Sequence, residues 1–171
     1  MFEVLEAILS EVDSSKVGIR VSPFSGVYAC TDDTPTETFT YVIKKLDTYN
    51  LSFLHLVEPR AFHQPPGKDV PAEGVTRFFR PMYRGPIFTA SGYDRKEAIQ
   101  VVDEGIADAV AFGRAFIGNP DYVKRLKLDA PLNEWDRRTA YWTEGVDNAI
   151  GYTDYPFLDE AAVDEKNDAA L

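Results

Sequence analysis

Two stretches decide the reading: Pro86-Ile87-Phe88-Thr89-Ala90-Ser91-Gly92-Tyr93 and, one helix-sized interval later, Ala107-Asp108-Ala109-Val110-Ala111-Phe112-Gly113-Arg114-Ala115. Each begins as a short apolar run of strand length and ends in a turn of small residues. Between them Asp94 stands where an N-cap belongs, with Glu97 three residues on and Ala98, Val101 and Val102 spaced for the inner face of a helix. Glycine lets backbone N–H groups approach an anion closely. The N-terminus of a following helix adds partial positive charge, and Arg114 offers a planar fork that suits phosphate oxygens. The common phosphate site of a (β/α)8 barrel is built from the loops after its seventh and eighth strands. Either turn alone is also an ordinary strand–helix connection; paired after consecutive strands, they point to the end of a barrel.

Upstream, Val17-Gly18-Ile19-Arg20-Val21-Ser22-Pro23 is a β-rich run closed by proline, and Leu51-Ser52-Phe53-Leu54-His55-Leu56-Val57 is another, ended by Glu58-Pro59. A helix between them starts at Thr34-Pro35-Thr36-Glu37, with Thr34 as cap, Pro35 at the first helical position and Glu37 as capping-box acid. Phe39, Val42, Ile43 and Leu46 give it one apolar face. Residues 60–84 read as a long irregular stretch around Pro65-Pro66-Gly67, with a short turn at 75–79; loops of this length are usually functional. Downstream, Asn119-Pro120 caps a helix through Leu126, and Pro131-Leu132-Asn133 precedes a last helix through about Trp142. Phe2, Leu5, Ile8, Leu9 and Val12 fall at helical spacing at the start. No N-cap precedes Phe2, as expected of a chain that begins inside a larger fold.

Strands alternating with helices at this spacing are parallel, joined by crossovers. Their mostly apolar composition suits strands covered on both faces. The fold class is therefore α/β, either an open doubly wound sheet or half of a (β/α)8 TIM barrel. Composition does not choose; the paired turns favour the barrel, with the four strands as its strands 5–8. Residues 1–156 form this half-barrel, and 157–171 form an acidic tail, with Asp159-Glu160, Asp164-Glu165 and Asp168, predicted to be flexible.

The 171 residues carry a formal net charge of -10. That disfavours nucleic acid and anionic membranes as partners, although a few oriented N–H groups and one arginine still make a local anion site. No apolar run approaches the ~20 residues that span a bilayer. Met1-Phe2-Glu3-Val4-Leu5-Glu6 lacks the basic start of a secretory leader. The single cysteine, Cys30, reads as a small buried or loop residue; it forms no internal disulfide and fits a reducing compartment, so a cytoplasmic location is expected. Arg20 is the outlier among the strands, flanked by Ile19 and Val21. A cation there is costly unless paired. It either forms an ion pair with Glu58, at the matching end of the next strand, or serves a site at the C-terminal mouth, where barrel active sites assemble.

Several motifs in order give a specific resemblance. Val17-Gly18-Ile19-Arg20-Val21-Ser22-Pro23-Phe24, His55-Leu56-Val57-Glu58-Pro59-Arg60, Ser91-Gly92-Tyr93, Ala111-Phe112-Gly113-Arg114, Asn119-Pro120-Asp121, Pro131-Leu132-Asn133 and Gly151-Tyr152-Thr153-Asp154-Tyr155-Pro156 resemble the C-terminal half of Old Yellow Enzyme relatives, the branch of the 12-oxophytodienoate reductases above all. The resemblance runs from Phe2 to Pro156. It implies an FMN-dependent, NAD(P)H-consuming ene-reductase: NAD(P)H reduces the flavin, the flavin passes hydride to the β-carbon of an α,β-unsaturated carbonyl, and a tyrosine protonates the α-carbon. It implies that Arg20 lies against the pyrimidine edge of the flavin and that Ser91, Gly92, Gly113 and Arg114 hold the FMN phosphate. It further implies that Tyr141 packs near the ring, although a core tyrosine is the plainer reading, and that Phe62 lines the substrate pocket.

This sequence departs from the pattern in places. Ser91 stands where the turn usually has glycine, which is tolerable unless φ must be positive. Ala140 replaces a common aromatic. The family's histidine pair and proton-donating tyrosine belong to a preceding half without counterpart here, so no catalytic residue is assigned; His55 and His63 read as structural or surface residues. Three readings follow: an ene-reductase represented by its C-terminal half, a non-catalytic half-barrel that binds FMN phosphate weakly or needs a complementary N-terminal half or self-association, and another phosphate-binding barrel enzyme. The expected substrate is a small enone.

Overall fold

Leu54, Leu56, Ile87 and Thr89 are completely buried, while Phe53, His55, Val57 and Phe88 between them are only half-buried. This period of two is the signature of a sheet with one covered face. The computed structural model describes residues 1–60, 67–140, 145, 147 and 149–158. They fall into two compact units, Met1–Ala111 and the described residues from Phe112 onward. Reading residues 1–156 as one half-barrel does not draw that division.

The first unit holds β1 (Gly18–Val21), β2 (Phe53–Val57), β3 (Ile87–Ala90) and β4 (Ala109–Ala111), all parallel and in sequential order. Helix α1 (Phe2–Leu9) precedes β1, and α2 (Pro35–Leu46), α3 (Val75–Phe79) and α4 (Arg95–Asp103) lie in the connections between successive strands. The sheet's covered face carries Ile19, Leu54, Leu56 and Ile87 into one core with Leu5 of α1, Ile43 and Leu46 of α2, and Val75 and Phe79 of α3. Each fully buried aliphatic or aromatic side chain there contributes about 1.5–3 kcal/mol. The expected inner positions are not all inside: Ile8 and Val12 in the first segment and Val102 of α4 are exposed.

Registers Arg20↔His55, His55↔Phe88 and Phe88↔Ala109 place these four residues side by side on the opposite face. Gly18, Phe53, Val57, Ala90 and Ala111 share that face by alternation. Phe53 stacks on Phe88 with ring centroids 4.6 Å apart. Its ring also lies over Gly18, where an added Cβ would come within 2.3 Å of it.

The ends of the elements show what local sequence achieved. Asp94 and Glu97 form a complete capping box on α4. Thr34 does not cap α2 through its side chain; Asp32 instead accepts from the Thr34 N–H at 2.7 Å and the Thr38 hydroxyl at 3.2 Å. Part of the stretch expected to be irregular is ordered as α3 followed by a 3-10 turn, Arg80–Met82.

In the second unit α5 (Arg114–Gly118) begins directly after Gly113, and α6 (Tyr122–Leu128) starts later than expected. Asn119 does not start α6, whose N-cap is Asp121; it ends α5 as its C-cap, its side chain donating to the Ala115 carbonyl and accepting from the Asn133 N–H. No helix forms over 133–140. The Asn133 N–H is taken by the Asn119 side chain and the Asp136 N–H by the Tyr155 hydroxyl. Arg125, 4% exposed, donates to Asp121 at 2.6 Å, to the Pro131 carbonyl at 2.6 Å and to the Pro156 carbonyl at 3.0 Å. Asn133 reaches the same Pro156 carbonyl at 2.8 Å, and Asp121 accepts the Leu158 N–H at 2.7 Å. The motifs Asn119-Pro120-Asp121, Pro131-Leu132-Asn133 and Tyr155-Pro156 are thus one hydrogen-bonded clasp. The tail beyond Leu158 lies outside the described residues.

Candidate cofactor-binding site

Arg20 occupies the third position of β1 on the face opposite the one packed by α1, α2 and α3, and among the described residues its side chain makes no ion pair or hydrogen bond. The expected alternative partner is engaged elsewhere. Glu58, 4% exposed, accepts the backbone N–H groups of Val75 at 2.9 Å and Thr76 at 2.8 Å, closing the N-terminus of α3. Alternation explains the separation: Arg20 is level with His55, so Glu58, three residues further along, points to the other face. The ion pair between Arg20 and Glu58 is therefore not formed.

Beside Arg20, His55 is neither a surface residue nor a satisfied core one. Its Nε2 is buried without a partner. Burial, and then the Arg20 charge, push its imidazole below the usual histidine value, so it is neutral at pH 7. Arg20 and His55 are the only polar side chains on this face among the described strand residues; the rest are glycine, alanine, valine and phenylalanine. Towards the C-terminal edge the face narrows to Ala90 and Ala111, which are in register.

The chain leaves β3 and β4 at that same edge, because the strands are parallel. After β3, Ser91 and Gly92 both take positive φ, 90° and 75°. For Gly92 this conformation is unstrained; Ser91 is held in one that side chains rarely adopt. The helix behind this turn offers little to an anion, since Asp94 and Glu97 already cap it. Glu97 also pairs with Arg60 at 3.1 Å, and Arg60 lies 4.3 Å over the Tyr93 ring. The Tyr93 hydroxyl meets Thr89 at 3.1 Å, and Thr89 meets Thr76 at 2.7 Å. Burial raises the Tyr93 phenol, with its hydrogen bond to Thr89 working against the rise. Arg60, Thr76, Tyr93 and Glu97 line a cavity of about 280 Å³ with Glu58 and Arg77. The hydroxyl chain and the cavity were not anticipated; only the Asp94/Glu97 spacing signalled this region.

In the second unit Gly113 precedes α5, and a Cβ built there would meet nothing within 4 Å. Space is open beside its backbone. Arg114 opens the helix, its guanidinium 5.9 Å from the Trp135 ring centre, and the Trp135 Nε1 is buried without a partner. Tyr141, Phe62 and His63 lie outside the described residues. Cys30 is exposed and not in a disulfide, which corrects the expectation of a buried position and fits that of a loop one. It lines a second cavity, of about 410 Å³, with Ser22, Phe24, Asp32 and Lys68 beyond the end of β1.

An unpaired cation at an apolar, aromatic-floored face suits an electron-rich planar ring, and in the second unit the open space beside Gly113 lets an anion approach its backbone. The donor set fits a flavin nucleotide. A family model described as NADH:flavin oxidoreductase / NADH oxidase family matches residues 1–133, and the chain belongs to that family. It is 40% identical over 169 residues to putative 12-oxophytodienoate reductase 5 of Oryza sativa subsp. japonica, covering 98% of this chain and 43% of that protein. It is 42% identical over 166 residues to 12-oxophytodienoate reductase 1 of the same plant, covering 96% and 42%. Among solved structures, morphinone reductase superposes with a TM-score of 0.79 at 38% identity, covering 94% of this chain and 41% of that one. The old yellow enzyme from Trypanosoma cruzi gives 0.80 at 36%, covering 92% and 39%. The chain thus spans about two-fifths of the length of the relatives it matches. Its parallel α/β sheet is that of the old yellow enzyme barrel, and the family's cofactors are FMN and a nicotinamide reductant.

Proposed function

We propose that this chain is the C-terminal half, strands 5–8, of an FMN-dependent NAD(P)H ene-reductase barrel, and that on its own it is catalytically incomplete. The observation that carries the reading is Arg20: a cation with no partner among the described residues, on the sheet face opposite the one against which α1, α2 and α3 pack. FMN, when bound, supplies hydride exchange between the nicotinamide and an α,β-unsaturated carbonyl. Arg20 places positive charge beside the ring, where electron density rises on reduction. For the phosphate, the family resemblance supports Ser91 and Gly92 as backbone N–H donors and, taken separately in the second unit, Gly113 and Arg114. Tyr141 packs at the ring and Phe62 lines the substrate pocket.

No side chain on the described face can donate the proton that enone reduction needs. His55 shares this face, but its Nε2 is buried, and it is not assigned the proton transfer. The proton donor and the groups that hold the substrate carbonyl belong to the other half of the barrel. A second reading, a non-catalytic half-barrel awaiting a partner, is favoured by the outer edge of β1. That edge pairs with no strand among the described residues, and such an edge recruits another chain. The exposed Cys30 supports a reducing, cytoplasmic setting.

The test is NAD(P)H consumption with a cyclic enone, using this chain with added FMN, alongside its flavin absorbance spectrum and solution mass. Little or no turnover is expected. General acid catalysis alone contributes about 10²–10⁴-fold, and positioning of the substrate contributes more. Turnover close to that of a complete family member would overturn the proposal.

A further inference from the structure

Glu58 is a buried carboxylate, 4% exposed, with no ion-pair partner among the described residues. Its two oxygens each accept one backbone N–H, from Val75 and Thr76. Those donors are neutral, and a buried charge is costly unless an opposite charge stands beside it. Arg60 and Arg77 line the same cavity, yet both are engaged with other acids. Arg60 pairs with Glu97 at 3.1 Å and lies over the Tyr93 ring, and Arg77 pairs with Glu104. Glu73, an exposed residue of the cavity wall, makes no ion pair among the described residues. The negative charge of Glu58 and Glu73 is therefore left uncompensated. The space is open where that charge lies: the first atom that a Cβ on Gly74 would meet is Glu58 Oε2, at 3.5 Å. A carboxylate oxygen accepts more than one hydrogen bond, so both Glu58 oxygens keep capacity for a further donor. Ala72, Val101 and Ile106 add apolar wall. At about 280 Å³ the cavity lies just under the ~300 Å³ at which ligand pockets ordinarily begin, so its occupant is small.

We propose that this cavity, walled by residues of α3 and α4, is a binding site for a small organic cation, an alkylammonium whose charged end neutralises Glu58 and whose carbon chain lies along Ala72, Val101 and Ile106. Glu73 adds to the attraction from the wall. The site is separate from the face that carries Arg20, because Glu58 and Arg20 point to opposite sides of the sheet, and it does not depend on the binding of flavin. An anion does not fit, since both arginines are already neutralised by Glu97 and Glu104. A bare metal ion fits less well than an amine: the described residues gather no cluster of three metal-ligating side chains, and an apolar wall contributes nothing to such an ion. The ammonium supplies the missing counter-charge while the two hydrogen bonds that hold the start of α3 stay in place.

The experiment titrates the full chain, without flavin, with n-butylammonium and separately with n-butanol and butyrate, following amide shifts in proton–nitrogen correlation spectra. The amine should shift the Gly74, Thr76 and Tyr93 amides saturably. It should bind about tenfold or more tightly than n-butanol, as a hydrogen bond between charged groups implies, and butyrate should not compete with it. Ala72→Phe, at an exposed position, fills the space while leaving every acid in place, and should abolish the saturable shifts. Glu73→Gln should weaken the amine about threefold, the effect of an exposed charge. Glu58→Gln should weaken it about tenfold or more; its fold is checked first by circular dichroism, because Glu58 also holds α3, and Ala72→Phe decides the matter if that variant unfolds. The proposal is overturned if n-butylammonium shifts none of these amides, or if n-butanol or butyrate binds as tightly. Saturable shifts that persist unchanged in Ala72→Phe place the amine elsewhere on this acidic chain and overturn it as well.

Discussion

Truncating Glu58 to alanine should cost the first unit a large part of its stability, and the size of the loss follows from two hydrogen bonds. The carboxylate is 4% exposed and accepts from the backbone N–H groups of Val75 and Thr76, themselves on residues that are 0% and 1% exposed. A buried donor left without a partner costs about 1–3 kcal/mol, so the pair costs about 2–6 kcal/mol. Water entering the space vacated by the side chain pulls the value towards the lower end. Glu58→Gln keeps one acceptor but turns an N–H against the second donor, so about half the loss is expected. Urea titration followed by circular dichroism gives the global change. Amide hydrogen exchange at Val75 and Thr76 reports the local one, and both amides should exchange faster in Glu58→Ala. A Glu58→Ala protein within about 1 kcal/mol of the wild type, in the range of ordinary surface changes, would refute the reasoning. So would a Glu58→Gln protein no milder than Glu58→Ala.

Two further perturbations read the charges. Burial acts to raise the Asp121 carboxyl, but the hydrogen bonds from Arg125 and the Leu158 N–H outweigh it and hold the group below its ordinary value of 3.8. Its stabilising contribution is therefore present above that value and lost as pH falls through the lower, folded one. Asp121→Asn should destabilise the second unit near neutrality and flatten its acid limb, measured as denaturant midpoints across the acid range; an unaltered acid limb would contradict the assignment. The Tyr49 phenol is pushed up to about 12, first by its hydrogen bond to Glu6, made at 2.6 Å. That contribution is complete below the ordinary phenol value of 10.0 and disappears as pH rises through about 12. Glu6→Gln should bring the tyrosinate absorbance transition back towards 10.0, and a transition that stays in place would show that Glu6 is not the cause.

The strands and their order were legible because parallel strands on a helix-covered sheet carry apolar runs of a definite length, as Leu54, Leu56 and Ile87 show. The two small-residue turns were legible as turns, but the strain at Ser91 was not. Its φ is imposed by the strand before it and the capped helix after it, and no local pattern states that sum. Arg20 was legible as an outlier, yet the pairing offered for it with Glu58 ignored the parity of the strands; the register Arg20↔His55 puts the two on opposite faces. Over 133–140, where part of the last helix was expected, the non-helical chain is held by contacts distant in sequence: Asn119 and Tyr155 accept the Asn133 and Asp136 N–H groups from 14 and 19 residues away. Arg125 with Asp121 shows an i,i+4 spacing that any helix would permit, while its grip on Pro131 and Pro156 could not be read without the fold.

The sequential order of the four strands has a kinetic meaning. Every described strand after the first has its partner already made when it is synthesised: β2 finds β1, β3 finds β2, and β4 finds β3. Loop-closure entropy grows only slowly with the length of chain enclosed. Each pairing closes one crossover of comparable size, so the search never lengthens as the sheet grows. A nascent chain can thus add one strand at a time to a template that is already in place, and the last edge waits only for the residues being translated.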